Sequence, residues 1–340
     1  MGQSKLQYTV CQTTFWIVVF VFNVGLPKCA SAQDTRPEFR EGYVTVDRGL
    51  KLYYRIYGTA KDDEGDSTTP LVFLHGGPGA NFMGCGPDLV PLSNSHRFIV
   101  YDQRGGGRSD PDPKAATQTI ETHVNDLERL RSHLNLKQMI LVGHSFGATL
   151  AAYYAIKYPQ HIDRLLLIAP MEPSRELLDK RINGEQVLSA RVAEKFAELE
   201  KLPPQDRARA RMDIIQSNYY FDPSKMKNRE GHYCDIPRDY FADKRVIGDA
   251  VFKSLGSYDL IPDLANFKMP VLIVEGAQSP LPLDGERAWA KALPNSRLWL
   301  IDKVGHGYPF VEAPSVFFPG VKRFLDGGWP EGTAKSNSDR

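Results

Sequence analysis

The chain has 340 residues, enough for one large α/β domain with an insertion or for two smaller domains. Its 42 basic and 41 acidic residues leave a net charge of +1 at pH 7. This balance indicates neither the basic field of a nucleic-acid-binding protein nor an acidic solvating tail. We therefore expect a folded protein that binds no nucleic acid, and disorder as a class is excluded.

The first 32 residues have the pattern of an export signal. Lys5 precedes an apolar run over residues 15–26, and small residues at 30–32 form a cleavage site. A membrane anchor is disfavoured because spanning a bilayer needs about 20 apolar residues. A lipoprotein signal at Cys29 is disfavoured by its proline and lysine neighbours. We expect residues 1–32 to be removed, which leaves a periplasmic or secreted protein with no stable membrane span.

Two cysteines, Cys85 and Cys234, remain after the signal. An oxidising compartment permits one disulfide between them. Two buried thiols are an equally ordinary outcome, so both alternatives stay open.

Elements that follow the signal alternate between strands and helices. Residues 43–57 predict a hairpin, and a helix is predicted from Ile120 to Leu134 with Thr119 as its N-cap. Short continuous apolar runs are typical of strands buried on both faces of a parallel sheet. These runs are Leu71–Leu74, Phe98–Tyr101, Met139–Val142, Leu165–Ile168, Val271–Val274 and Leu298–Ile301. The order predicts an α/β fold with a doubly wound, mostly parallel sheet.

The sequence also predicts how the chain divides. Strand patterns disappear over residues 171–266, where charged helical patterns indicate a helical cap at the ligand-binding edge of the sheet. Residues 33–170 and 267–326 then form the core. The tail, residues 327–340, is rich in Gly, Ser and charge, so we expect it to be flexible.

A candidate nucleophile follows the strand that begins at Met139. The strand runs into residues 143–147, Gly-His-Ser-Phe-Gly, and a helix follows from Ala148. A G-x-S-x-G segment is a weak signal alone, but between a strand and a helix it is typical of a nucleophile elbow. Ser145 is therefore the predicted nucleophile.

A serine hydroxyl needs a base that takes its proton. The chain order in elbow-containing folds is serine, acid, histidine, so the base should follow the last core strand. Of eight histidines, His306 in "VGHGYPF" has that place. His144 adjoins Ser145 but should point the other way along the elbow.

An oxyanion formed at such a serine needs backbone donors. One is the N–H of Phe146, and the second is expected from the loop "HGGPG", residues 75–79, with Gly77 as the candidate. An ordinary Gly/Pro turn is the alternative for this loop.

A third glycine-rich loop, "DQRGGGRSD", covers residues 102–110. It lacks the lysine and spacing of phosphate-binding motifs, which disfavours nucleotide binding. We expect Asp102 and Arg104 to brace the catalytic loops.

Together, "HGGPG", "DQRGGGRS", a T-x-T before the helix and the elbow resemble the proline iminopeptidase family of α/β-hydrolases. The likeness covers roughly residues 40–170 and 268–326. It implies a serine hydrolase that removes an N-terminal residue, often proline, from short peptides. It also implies Ser145 as nucleophile, His306 as base, and Gly77 and Phe146 as oxyanion donors.

The sequence departs from this family at the acid, because Ser279 in "EGAQSPLPLDGERA" stands at the usual position. A neutral serine cannot stabilise the imidazolium that forms on the histidine. Glu172 follows a strand that should lie beside the one before Ser279, so we predict it as the acid. A solvated residue that opens the cap is the alternative. We expect the next helix to carry Asp284 and Glu286 away from His306.

A second departure lies in the cap, since no glutamate aligns just ahead of "YDL" at residues 258–260. In the family, glutamates there hold the amino terminus of the substrate. The leading hypothesis is thus an exported serine hydrolase without metal or cofactor that cleaves a small amide. A carboxylic-ester hydrolase and a catalytically impaired binding protein are the alternatives, and the oligomeric state is open.

Overall fold

The computed structural model describes residues 38–58, 68–112, 117–182, 197–203, 210, 214, 216–228 and 240–335. The predicted export signal and Cys234 lie outside these ranges.

Nine strands of the described chain form one sheet, in the order β1-β2-β4-β3-β5-β6-β7-β8-β9. The strands are β1 Phe39–Thr45, β2 Lys51–Tyr57, β3 Leu71–Leu74, β4 Phe98–Tyr101, β5 Met139–His144, β6 Ile162–Ile168, β7 Val271–Gly276, β8 Ser296–Ile301 and β9 Ala334–Lys335. β3 to β8 run parallel, whereas β1, β2 and β9 pair antiparallel at the edges. The predicted hairpin, the six predicted core strands and the α/β fold class are confirmed.

Helices connect these strands on both faces of the sheet. They are α1 Ile120–His133, α2 Phe146–Lys157, α3 at residues 175–182, α4 Tyr240–Leu255, α5 Ile261–Leu264, α6 Asp284–Ala292, α7 Pro309–Glu312 and α8 Pro314–Leu325. The predicted N-cap is confirmed, because Thr119 Oγ1 accepts a hydrogen bond from the N–H of Thr122 at 3.1 Å. Within the described ranges, no helix combines the length and the apolar character needed to cross a membrane.

The parallel strands are buried on both faces, as their apolar runs predict. In β3 every residue is fully buried. Val72 and Leu74 belong to one hydrophobic cluster and Leu71 and Phe73 to another, because successive side chains of a strand point to opposite faces. The sheet is therefore a rigid layer between two cores, and the loops at its carboxyl edge start from fixed positions.

The segment between β6 and β7 is helix or loop where it is described, apart from one isolated bridge between Ser174 and Asp259. Helix α4 lies close to the "HGGPG" loop, since a Cβ placed on Gly248 would be 3.6 Å from the carbonyl oxygen of Pro78. The division into core and cap at residues 171–266 stays a prediction.

The flexibility expected of residues 327–340 stays a prediction, and the described part of this tail ends in a short strand. Ala334 pairs with Leu298 and Lys335 with Arg297, which adds β9 to the sheet. The physical reason is the open edge of β8, whose backbone groups would otherwise lack strand partners on that side.

Candidate active site

Ser145 stands in a strained turn between β5 and α2. Its φ of 53° and ψ of −121° lie in a region that non-glycine residues seldom occupy. Backbone hydrogen bonds hold it there: its N–H donates to Ile168 at 3.0 Å, and its carbonyl accepts from Ala148 at 2.9 Å and Met171 at 3.2 Å. The half-buried side chain is thus fixed above the end of the sheet.

The glycines of the motif permit this turn through close packing. A Cβ on Gly143 would lie 2.6 Å from Cα of Ala148, and one on Gly147 would lie 1.9 Å from the carbonyl oxygen of Leu74. Real Cβ atoms do not approach so closely, so α2 can start directly against β3 only with glycine at these positions.

The predicted oxyanion donors belong to the two segments beside Ser145. Gly77 has a φ of 59°, and a Cβ on its neighbour Gly76 would lie 3.0 Å from Cβ of Ser145. The N–H of Phe146 belongs to the first turn of α2, where backbone donors have no partner within the helix. The "HGGPG" loop and the helix start therefore flank the serine.

His306 follows β8, and both of its ring nitrogens make short contacts. Nδ1 lies 2.8 Å from Oε2 of Glu275, and Nε2 lies 3.0 Å from a guanidinium nitrogen of Arg181. Because a guanidinium only donates hydrogen bonds, Nε2 is the acceptor and Nδ1 carries the proton toward the carboxylate. This is the tautomer that a general base requires.

The loop of His306 touches the elbow. Nε2 of His144 lies 3.2 Å from the carbonyl oxygen of Gly307, so the residues next to Ser145 and His306 are in contact. The backbone N–H of His306 donates to Tyr219 at 2.6 Å, which anchors the histidine loop from the segment between β6 and β7.

Glu275 is the carboxylate on His306, and the sequence analysis missed it. It lies at the end of β7, is fully buried, and its Oε1 accepts N–H bonds from Gly276 at 2.7 Å and Gly307 at 3.1 Å. Burial raises its pKa above the usual range of a carboxyl group, while these backbone N–H groups oppose the rise. The available signal was a charged residue at the end of an apolar run, since acidic residues are seldom fully buried without a partner.

The prediction of Glu172 as the acid on His306 is wrong. Glu172 is buried, and its two oxygens lie 3.3 and 3.4 Å from Arg181. The same guanidinium contacts Nε2 of His306, whereas the Nδ1 position belongs to Glu275. The neighbouring strand does bring Glu172 close to the site, but on the side of the wrong ring nitrogen.

Ser279 has a structural place in the turn after β7. Its N–H donates to Gly276 at 3.2 Å, and its Oγ accepts from the N–H of Leu281 at 3.2 Å. The residue that stands at the family's acid position thus stabilises a turn.

Glu286 was expected to be carried away from His306, and this expectation is also wrong. Its side chain is 2% exposed and lies near enough to Glu275 for each carboxyl group to shift the pKa of the other. Burial, followed by the charge of Glu275, raises the pKa of Glu286 to about 8. Asp284, two residues earlier in α6, is exposed as expected.

The 102–110 loop is braced as predicted. Asp102 accepts N–H bonds from Phe82 at 2.9 Å and Arg108 at 2.8 Å, while Arg104 is paired with Asp126 at 2.6 Å. Burial raises the pKa of Asp102 to about 6.

Cys85 is buried, and its sulfur lies 3.8 Å from Nδ1 of His144. Its possible disulfide partner, Cys234, lies outside the described residues.

Comparison with known proteins identifies the family. The model of the alpha/beta hydrolase fold family matches residues 69–313, which is more than half of the chain. The chain belongs to the alpha/beta hydrolase fold family. This alpha/beta hydrolase is 28% identical over 301 residues to the proline iminopeptidase of Lactobacillus crispatus, a match that covers 82% of this chain and 95% of the relative.

Solved structures share the fold of this alpha/beta hydrolase. The proline iminopeptidase of Mycobacterium smegmatis matches with a TM-score of 0.58 and 20% identity over 85% of this chain and 98% of the other. The epoxide hydrolase CorEH matches with a TM-score of 0.62 and 18% identity over 85% and 99%. With its sequence relatives, the fold makes this alpha/beta hydrolase a serine hydrolase of the aminopeptidase or esterase type.

Proposed function

We propose that the enzyme cleaves a small amide through an acyl-enzyme on Ser145, with His306 as general base and Glu275 as the acid that orients it. The observation that carries this proposal is the buried hydrogen bond between Glu275 and Nδ1 of His306. It leaves Nε2 without a proton, on a loop that touches the elbow of Ser145.

The reaction follows from these positions. Ser145 gives its hydroxyl proton to Nε2 of His306 while Oγ bonds to the carbonyl carbon of the substrate. In this proposal, the N–H groups of Gly77 and Phe146 hold the resulting oxyanion. His306 then gives the proton to the leaving amine, and the carbon–nitrogen bond breaks. A water molecule, deprotonated by His306, hydrolyses the acyl-enzyme and restores Ser145.

Arg181 must leave Nε2 before this sequence starts. A ring nitrogen has one lone pair, and that of Nε2 faces the guanidinium at 3.0 Å. We infer that the bound substrate displaces Arg181, so that Ser145 becomes the donor to Nε2.

The proposed substrate is a short peptide that loses its N-terminal residue. The relatives named proline iminopeptidase support this class of reaction. An ester is the second candidate, supported by the absence from the sequence of an aligned glutamate ahead of Tyr258, where Asp243 and Asp249 are the nearest acids. Both substrates use the same acyl-transfer groups.

The hypothesis of a catalytically impaired binding protein rested on Ser279. Glu275 supplies a carboxylate to His306 from the preceding strand, which supports an intact triad. We also propose that the enzyme is exported and acts on its substrate without cofactor or nucleic acid, on the basis of residues 1–32 and the charge balance.

A fluorophosphonate probe tests the proposal, because it reacts with an activated serine. We expect labelling of the wild type at Ser145 and none in Ser145→Ala, read by mass spectrometry of the labelled peptide. Ser279→Ala is the matched control and should label like the wild type, since the hydrogen bonds of Ser279 to described residues stay within its own turn. An unlabelled wild type that is folded would contradict the enzyme proposal.

A proline anilide and a nitrophenyl ester, assayed side by side, then separate the two substrate classes. Faster turnover of the anilide supports the aminopeptidase. Turnover of the ester alone supports the esterase.

A further inference from the structure

Two carboxyl groups lie side by side at the acid end of the triad. Glu275 on β7 is fully buried, and Glu286 on α6 is 2% exposed. Each carboxyl group shifts the pKa of the other, which makes the two groups neighbours in one buried site. Two carboxylates only accept hydrogen bonds, so a hydrogen bond between these neighbours requires a proton on one of them. Two adjacent carboxyl groups in a buried site do not both ionise at neutral pH.

The donors around the pair show which carboxyl carries the proton. Glu275 receives the N–H of Gly276, the N–H of Gly307 and Nδ1–H of His306. Oε2 of Glu286 is buried, and no donor within the described residues reaches it. A charged oxygen in that position would be desolvated without compensation. Glu275 is therefore the carboxylate, and Glu286 is the neutral acid.

We propose that Glu286 is a positioning residue, whose neutral carboxyl group donates a hydrogen bond to Glu275 and holds that carboxylate against Nδ1 of His306. This proposal rests on the function proposed above. Glu286 touches neither substrate nor reacting atoms, and it acts only through Glu275. Once Arg181 has left Nε2, the proposed series has four residues, Ser145, His306, Glu275 and Glu286.

Charged groups from four elements surround this position. Glu275 comes from β7, His306 from the loop after β8, and Arg181 from α3. Glu172 comes from the segment after β6, since a Cβ on Gly285 would lie 3.0 Å from its Cγ. Arg181 and the histidine favour ionisation of Glu286, but burial and the charge of Glu275 oppose it more strongly.

The balance of these effects on the pKa of Glu286 predicts how activity depends on pH. Because the pKa of Glu286 is raised to about 8, its proton is present at neutral pH and leaves in the alkaline range. Above that range the donor to Glu275 is lost and two carboxylates repel each other. We expect kcat/KM of the wild type to fall across this range.

Glu286→Gln and Glu286→Leu test the proposal. The glutamine keeps an N–H donor and cannot ionise, so kcat at pH 7 should stay within about threefold of the wild type and the alkaline fall should disappear. The leucine removes the donor, and kcat should drop by about 10- to 100-fold with KM little changed, the scale of a hydrogen bond to a charged group. Asp284→Asn is the control, because it removes a carboxyl group from the same helix turn at an exposed site.

The proposal is overturned if the pH profile of Glu286→Gln retains the alkaline fall in activity. It is also overturned if Glu286→Leu has the kcat of the wild type. A loss of the fall in Asp284→Asn also overturns it, since the cause would then be the charge at the helix start. The glutamine variant decides the matter even when the leucine variant does not fold.

An infrared measurement separates this proposal from the enzyme proposal. In Ser145→Ala at pH 7 we expect the carbonyl band of a protonated carboxylic acid, and its absence in Ser145→Ala/Glu286→Gln. These proteins need no activity for the measurement. If the wild type is not labelled by the fluorophosphonate probe but the band is present, the enzyme proposal alone is contradicted. If the band is missing, the proposed role of Glu286 alone is contradicted.

Discussion

Glu275 acts on His306 from inside the sheet. Its backbone is part of β7, and three N–H groups hold its two oxygens. A carboxylate with this many donors has little freedom to rotate, so the ring of His306 is oriented by the strand itself. The contact needs no movement when the imidazolium forms.

Glu275→Gln should therefore lower kcat/KM by about 10³- to 10⁴-fold, because an amide cannot balance the imidazolium and favours the wrong tautomer. Glu172→Gln should cost far less, since Glu172 contacts Arg181 and lies away from Nδ1. Ester hydrolysis or probe labelling rates measure both, and circular dichroism checks the fold. Equal losses of activity in the two variants would contradict the assignment of Glu275, and not Glu172, as the acid on His306.

The sequence predicts two members of this site and not the others. Ser145 is marked by a local motif, and His306 by its order in the chain. The pairing of Glu275 with His306 depends on strand ends that are 31 residues apart. Treating β7 as uniformly apolar hid the one charged residue at its end. Glu286 was missed because a helix start was taken to point outward.

At the scale of elements, the end of β7 and the histidine loop are in direct backbone contact. A Cβ on Gly276 would lie 1.9 Å from the carbonyl oxygen of Gly305 and 2.2 Å from that of Val304. The absence of a side chain at Gly276 is what allows Glu275 to reach Nδ1 of His306. Packing of these two segments thus sets the distance within the triad.

Gly276→Ala should push the two segments apart. We expect the free energy of unfolding to fall by about 3 kcal/mol or more, as in severe overpacking, and activity to fall further than stability explains. Urea denaturation and the labelling rate at Ser145 are the measurements.

Gly248→Ala is the matched glycine control for this variant. It lies within α4, and among the described residues its new Cβ would meet the carbonyl oxygen of Pro78, at an ordinary 3.6 Å. Alanine in a helix should raise stability by up to about 1 kcal/mol. If Gly276→Ala and Gly248→Ala change stability and activity alike, contact between β7 and the histidine loop is not the cause of the losses.

The strands were predicted well because each short apolar run is buried on both faces of the sheet. Boundaries shifted where the strand continued past the apolar run, as in β7, which includes Glu275 and Gly276. The β9 pairing could not be predicted, since a two-residue strand rich in polar residues has no periodic signal.

At the scale of the whole molecule, Arg104 joins three distant segments. Its fully buried guanidinium pairs with Asp47 of the first hairpin, Asp112 after β4 and Asp126 of α1. The glycine loop at 102–110 is fixed by these contacts and by the bonds to Asp102. The residues that were expected to brace the site thus connect the edge of the sheet to a helix on its face.

Arg104→Met should lower the free energy of unfolding by about 3–5 kcal/mol, because Asp126 would be left buried without its cation. Burial already raises the pKa of Asp126 to about 6. Without the guanidinium its folded-state pKa rises further, so the deficit should be large at pH 8 and smaller at pH 5, where the carboxyl is protonated. Urea denaturation at both pH values checks this.

Exposed Arg287 provides a control for the loss of a positive charge. Arg287→Met should change stability by less than about 0.5 kcal/mol at either pH. A pH-independent deficit in Arg104→Met would show that lost packing, and not an uncompensated carboxylate, is the cause.

The place of Glu275 in a strand also changes what the following connection has to do. Residues 277–283 hold no reacting group, and Ser279 only closes their own turn. Such a surface connection tolerates changes of length and composition. Ala277 and Gln278 are hydrogen-bonded to residues 301–304. The exposed residues after them can therefore drift in evolution, or accept an inserted tag, while the charge that serves the imidazole stays where the sheet puts it.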